Sequence, residues 1–241
     1  MRVRDLVSII REDYLNDVKA QKYLHSDASL LRKFSEAEKQ ACSRADLIFD
    51  STTSEFSRIT LVSGVSAYNF SSKIISIGDV VYTGKVLEKR SRDGLDRDFP
   101  FWRTDAGLTN FDISYCISGR SIQLNRIPAD VEAGTYLYLE VYRLPSVSLQ
   151  DLNQEFEIPE EHQRSLIYWV LHECYKKQDS DIFDQDKSDY YLARFTQEFG
   201  RPISAIQRQH NLESTATSQI FPETSRIRRM RVTAENNPNE W

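Results

Sequence analysis

The sequence predicts an α+β chain: a helical bundle (two N-terminal and two C-terminal helices), an inserted antiparallel β-sandwich or small barrel, and an extended C-terminal arm. Three observations carry that prediction. Apolar residues recur at helical spacing up to Ile48 and again from Ile158 to Phe199, while the segment between them alternates with a period of two. Short alternating runs in that middle segment are punctuated by glycine turns, as in antiparallel sheets. After Gly200-Arg201-Pro202, a glycine helix stop followed by a proline, periodicity ceases. The expected parts are therefore 1–55 (helical hairpin), 56–146 (β domain), 147–200 (helices completing the bundle) and 201–241 (arm).

Val3, Leu6, Val7, Ile10 and Tyr14 define the first helix, over about Val3 to Leu15. Ser26-Asp27-Ala28-Ser29 offers N-caps for a second, with Leu30, Leu31, Phe34, Ala37, Ala41, Ala45 and Ile48 on one face. Two antiparallel helices are the simplest arrangement of this pair. Ile59 to Val62 and Tyr68 to Phe70 read as strands around a turn at Ser63-Gly64. Ile75-Ser76-Ile77, Val80-Val81-Tyr82 and Lys85 to Glu88 follow, with Thr83-Gly84 as a turn and the Asp93-Gly94 and Pro100 region as loop. Phe111 to Ile117 and Ser121 to Leu124, joined at Gly119, form the clearest hairpin. Thr135 to Arg143 is a long final strand ending before Pro145. Pro159, followed by two glutamates, starts a helix whose apolar face is Leu166, Ile167, Val170, Leu171, Cys174 and Tyr175. Residues 184–188 supply N-cap candidates for the last helix, with Tyr191, Leu192, Phe195 and Phe199 as its stripe. Both helices are expected to pack on the N-terminal pair.

Hydrophobic content of 40% and charged content of 28% are ordinary for a soluble globular chain. The net charge of −5 argues against a general binder of nucleic acid or anionic membrane. No stretch is long and apolar enough to span a bilayer, and the charged start Met1-Arg2-Val3-Arg4-Asp5 lacks a signal-peptide core; the expectation is a soluble protein made in a cytoplasm. Cys42, Cys116 and Cys174 are widely separated and sit in apolar patterns, which predicts buried free thiols rather than a disulfide or metal framework.

Motifs for catalysis are sparse. His172-Glu173 opens like a zinc-protease helix, but Lys176 stands where the second histidine is required, and His162 lies ten residues from His172 on the same expected helix. Ser63-Gly64 and Ser118-Gly119 are turns rather than nucleophile elbows, and Gly78, Gly84 and Gly94 form no phosphate loop. Asp93, Asp96, Asp98 and Asp105 lie beside Phe99, Phe101 and Trp102, a candidate sugar-binding rim with hydrolytic carboxylates. The favoured reading of that cluster is an exposed charged loop with an aromatic plug. No catalytic, cofactor-binding or metal residue is assigned.

The segment from Ile203 is too polar to build a core, so alone it should be mobile. Its scattered anchors are Ile203, Ile206, Arg208, Ile220, Phe221, Arg226, Ile227, Arg228, Arg229, Met230, Arg231 and Trp241. From Arg201 onward six arginines stand against four glutamates, leaving about +2 in the arm and −7 in the body. Arginine favours phosphate, but the arm has no lysine and no aromatic interleaving for base stacking; contact with protein is the better reading.

The layout resembles the head–tail connector (adaptor) proteins of tailed bacteriophages. Asp27-Ala28-Ser29-Leu30-Leu31-Arg32-Lys33-Phe34 with Ala37-Glu38 is like that family's polar helix start followed by small and apolar residues. Tyr68-Asn69-Phe70 with Ile75-Ser76-Ile77 looks like its tyrosine-led approach to the β domain. Ile122 to Pro128 and Leu137 to Pro145 are similar to its closing strands, and Ile158 to His162 through Leu166 to Trp169 to the helix ending its body. The likeness spans nearly all of residues 1–200 in layout; the arm matches in character only. Gly107-Leu108-Thr109 departs from it, since relatives often carry proline after that glycine. The resemblance implies a non-enzymatic virion protein of the head–tail junction, made in the bacterial host cytoplasm. It would form a ring of twelve copies beneath the portal ring and above a tail or nozzle protein, with DNA passing through and no membrane anchor. Two alternatives stay open: a cell-wall glycan hydrolase, and a glycan- or protein-binding β module on a helical spacer.

Overall fold

The structure is a computed structural model that describes residues 1–15, 17, 24–99, 101–103, 112–177 and 183–214. Helix α1 (Val3–Ile9) continues into one π turn over Ile10–Tyr14. Helix α2 (Asp27–Ala45) starts where Ser26 Oγ accepts the Ser29 N–H at 3.3 Å. The expected α2 stripe is buried as far as Ala41, and the helix itself runs to Ala45, which is exposed. Asp46 then takes a left-handed φ of 48°, which ends the helix, and Ile48 belongs instead to strand β1 (Ile48–Asp50). Beyond the strands come α5 (Glu160–Gln163), α6 (Leu166–Tyr175) and α7 (Gln185–Phe199). Leu6, Ile10, Leu30, Phe34, Leu166, Val170, Leu171 and Phe195 are all at 0% exposure in one core, so side chains of α1, α2, α6 and α7 share a single apolar interior. Burying such residues supplies about 1.5–3 kcal/mol each, enough to offset the ordering of short helices that would be marginal alone.

The helix predicted across His162 and His172 is broken. Ser165 N–H bonds to His162 O, Ile167 N–H to Arg164 O and Tyr168 N–H to Ser165 O, each three residues back, so α5 and α6 are separated by a tightened turn. The two histidines stand on different helices.

A short helix α3 (Ser54–Ser57) leads into β2 (Arg58–Thr60), followed by β3 (Ala67–Asn69), β4 (Ile74–Tyr82), β5 (Lys85–Val86) and β6 (Glu88–Lys89). Helix α4 (Arg92–Asp98) precedes β7 (Ser114–Ser118), β8 (Ser121–Leu124) and β9 (Tyr136–Arg143). One sheet has the order β1-β9-β4-β5 with β2 also on β9, and the other β3-β8-β7-β6. The expected hairpin of Ile59 to Val62 with Tyr68 to Phe70 does not form. β2 pairs antiparallel with β9 (Ile59 opposite Leu137) and β3 with β8 (Tyr68 opposite Ile122), in different sheets. A long-range bond, Leu61 N–H to Thr135 O at 2.8 Å, and a local one, Tyr68 Oη donating to Val65 O at 2.5 Å, hold the crossover. The runs Ile75–Ile77 and Val80–Tyr82 are one strand, β4, whose register against β9 shifts between Ile77 and Val80. The expected hairpin at Gly119 is present as β7 and β8, with Ile117 opposite Ile122.

The fold is thus mixed α and β, with one parallel pairing, β6 on β7, among antiparallel strands. Neither sheet closes into a barrel, so that alternative falls. Val80, Leu137, Leu139 and Val141 from one sheet and Tyr115, Ile117, Ile122 and Leu124 from the other join one apolar cluster.

The Asp93-Gly94 segment is helix α4 rather than loop, because Ser91 Oγ accepts the Gly94 N–H at 3.0 Å and caps it. Leu95 and Trp102 pack on Cys116, which covers the second face of β7 and explains why Ser114 to Ile117 are all buried despite their alternation. All three cysteines are free and buried.

Candidate docking surface

The first part of the expected arm is folded against the body. Residues 201–204 have no regular structure, and helix α8 (Ala205–Glu213) then starts where Ser204 Oγ accepts the Gln207 N–H at 3.2 Å. Its principal contacts are with β4 and β7. Leu212, at 5% exposure, joins the cluster shared by the two sheets. Around it three polar contacts fix the C-terminal end of α8. Lys89 Nζ donates to Leu212 O at 2.6 Å, Gly119 N–H donates to Glu213 Oε1 at 3.0 Å, and Gln209 Nε2 donates to Gly119 O at 3.3 Å. The Gly119 N–H and the Gln209 amide hold the Glu213 carboxyl below its usual range, and burial lowers the Lys89 ammonium.

This placement corrects the picture of an arm projecting from residue 201. A helix of nine residues is marginal in water, and packing of Leu212 into the cluster shared by the two sheets supplies burial that it lacks alone. Ile206 remains 84% exposed, Ile203 is half-buried, and the Arg208 guanidinium donates to Ile203 O at 3.1 Å. The other anchors, Ile220, Phe221, Arg226, Ile227, Arg228, Arg229, Met230, Arg231 and Trp241, lie outside the described residues. Sequence reasoning missed Lys89 and Gly119 as the seat of α8, and Gln209 and Glu213 as the α8 side chains that meet it. Ser204 three residues before Gln207 was an available helix-start signal; the seat itself is long-range and leaves no local trace.

A second surface is the outward face of β9 and its neighbours. Tyr136, Tyr138 and Phe49 are 43%, 44% and 52% exposed, while the alternate residues Leu137, Leu139 and Val141 are buried. Phe49 meets Tyr142 edge-on at 5.5 Å, and the Arg58 guanidinium stacks over Tyr138 at 5.7 Å. Tyrosine and arginine are favoured at protein interfaces, and the alternation Tyr136, Tyr138, Tyr142 was legible in the sequence.

The residues weighed for catalysis are structurally committed. Asp96 accepts Trp102 Nε1 at 2.8 Å and Arg103 at 2.8 Å, and both bonds hold its carboxyl low, which opposes a role as general acid. Asp98 pairs with Arg90 at 2.9 Å, Trp102 is the buried plug at 2% exposure, and Phe101 is 69% exposed. Asp105 lies outside the described residues. His172 is buried with Nδ1 at 2.9 Å from Ser188 Oγ, and His162 packs against Phe199 at 6.1 Å. Among the described residues no cluster of His, Cys, Asp or Glu could hold a metal. None of the described helices is long and apolar enough to cross a membrane.

The family model described as SU10 adaptor protein matches residues 1–220. The chain belongs to the SU10 adaptor family. The match runs through both sheets, the helices and α8, and the resemblance to head–tail connectors stated from the sequence agrees with it. No curated protein matches the chain. SU10 adaptors are bacteriophage head–tail adaptors, so the protein has a structural role in the virion, in contact with other head or tail proteins.

Proposed function

We propose that this adaptor forms a ring of twelve copies beneath the portal that joins capsid to tail and continues the DNA channel. The parts 1–55 and 147–200 form the helical bundle, 56–146 is the two-sheet domain inserted in it, and the segment beyond carries the arm. Residues 215–241, with Arg226, Arg228, Arg229, Arg231 and Trp241, dock on the portal ring, and a tail or nozzle protein binds below. The observation that carries this reading is the family match over residues 1–220 combined with α8, which fixes the root of the C-terminal segment beside Gly119. Many weak arms anchored at fixed points on one ring give high avidity without a large interface per copy. A net negative body also suits a channel that DNA must leave.

The test is electron microscopy of the full chain mixed with its cognate portal, beside a chain truncated after Ser214. Full-length rings seated on portals, and loss of seating on truncation, are expected. Normal docking of the truncated chain would remove the arm from the mechanism. Because α8 belongs to the folded body, a cut after Gly200 would confound loss of the arm with damage to the sheets.

A further inference from the structure

α8 is attached to the sheets more specifically than to the helix that precedes it. Its anchors, Lys89, Gly119 and the cluster around Leu212, all belong to the β segment, and its own contribution to the buried interior is the single residue Leu212. Its tether is a joint. Gly200 sits at φ 86°, Pro202 follows, and residues 201–204 have no regular structure, so α7 and α8 are not one continuous helix. Extended, the residues from Gly200 to Ala205 could span about 18 Å. A short terminal helix on such a joint, held by a seat that recognises this sequence, meets the physical requirements for exchange between identical copies.

We infer that in the assembled adaptor this seat takes α8 from a neighbouring copy of the same chain. The seat defines its occupant's chemistry: a leucine joining the cluster of the two sheets, a helix C-terminal carbonyl facing Lys89, and a glutamate and glutamine facing the Gly119 turn. A head-to-tail exchange keeps every one of these bonds and turns each into a link between copies. It costs no contact, and it closes only when the copies return to the start, as in a ring. It also gives the unassembled chain a closed form, with its seat occupied by its own helix. The inference rests on the ring reading above.

The experiment uses the full chain prepared light and ¹⁵N-heavy, each with a photo-reactive benzoylphenylalanine in place of Gln209, mixed one to one before assembly on portal rings. A second pair carries the probe in place of Ser118, in case the first disturbs the helix. After irradiation, mass spectrometry reads crosslinks between α8 and the β7–β8 turn. About half should join light to heavy in rings, and none in dilute unassembled chain, as random mixing across a heterologous interface requires. Rings that carry only same-isotope crosslinks overturn the exchange and leave the ring reading standing. If no ring forms, the ring reading falls and the exchange falls with it.

Discussion

Glu38 Oε1 on α2 accepts the backbone N–H of Glu157 at 2.7 Å, across 119 positions of sequence, and the N–H of Ile158 at 3.3 Å. This carboxyl, with the Val3 N–H to Gln154 O and Arg4 N–H to Leu152 O bonds, ties the N-terminal helices to the segment that returns the chain from the sheets to α5. Glu38 is 1% exposed, and burial raises its carboxyl to about 7 although the two N–H donors pull the other way.

The pH dependence follows from that displacement. The folded value is raised above the ordinary 4.5, so the folded state keeps a proton the unfolded chain releases between those limits. The associated stability is full below about 4.5 and is lost as pH rises through about 7. Glu38→Gln, which keeps an acceptor, should remove up to about 3 kcal/mol of pH-dependent stability loss between acid and mildly alkaline conditions. Urea unfolding of both chains across that range measures it, and parallel curves would refute the assignment.

Arg143 joins β9 to the same region. Its Nε donates to Asp50 Oδ2 at 2.7 Å and its Nη1 to Glu157 Oε2 at 2.6 Å. Burial alone would raise the Asp50 carboxyl, but the Thr53 N–H, the Arg143 guanidinium and the Thr52 N–H hold it at about 2. Arg143→Ala strands a side chain only 4% exposed and should cost about 3 kcal/mol, measured by chemical denaturation. Replacing the pair together, Arg143→Met with Asp50→Asn, should cost less than Arg143→Ala by itself.

Gly200 closes α7 at φ 86° and ψ 176°, a region open essentially to glycine. Gly200→Ala should therefore destabilise by about 1–3 kcal/mol, although a Cβ there would meet no atom within 4 Å. A thermal melt that matches the parent would show that the joint relaxes without strain.

Leu212→Ala should release α8 before anything else. Removing the one buried anchor costs about 2 kcal/mol, enough to expose the amides of a nine-residue helix while the sheets stay closed. Hydrogen exchange resolved by segment should show protection lost over 205–213 and kept in β7 and β9. Unchanged protection in α8 would mean that Lys89 and Gly119 hold it without the leucine.

Helix positions were legible because their signals are local: the Ser26 cap, the Asp184 cap, the 3.6-residue stripes and the Gly200 stop all act within a few residues. Where local signals misled, a longer-range partner had decided. The stripe ran past Ala45 to Ile48 because that residue is buried in the same core, yet β9 claims it as a strand, with Ile48 opposite Arg143. β2 and β3 looked like a hairpin because a glycine turn lies between them, but β9 and β8, roughly eighty and fifty residues on, gave each a better ladder.

The sequence by itself determined the helical, then β, then helical layout, the hairpin at Gly119, the buried thiols and the adaptor resemblance, because periodicity, caps and turns are properties of neighbouring residues. Tertiary structure alone decided which strands share a sheet, that Glu38 reaches Glu157, and that α8 lies in a seat built from Lys89 and Gly119. Those outcomes depend on contacts between distant positions, whose free energy exists only once the chain has brought them together.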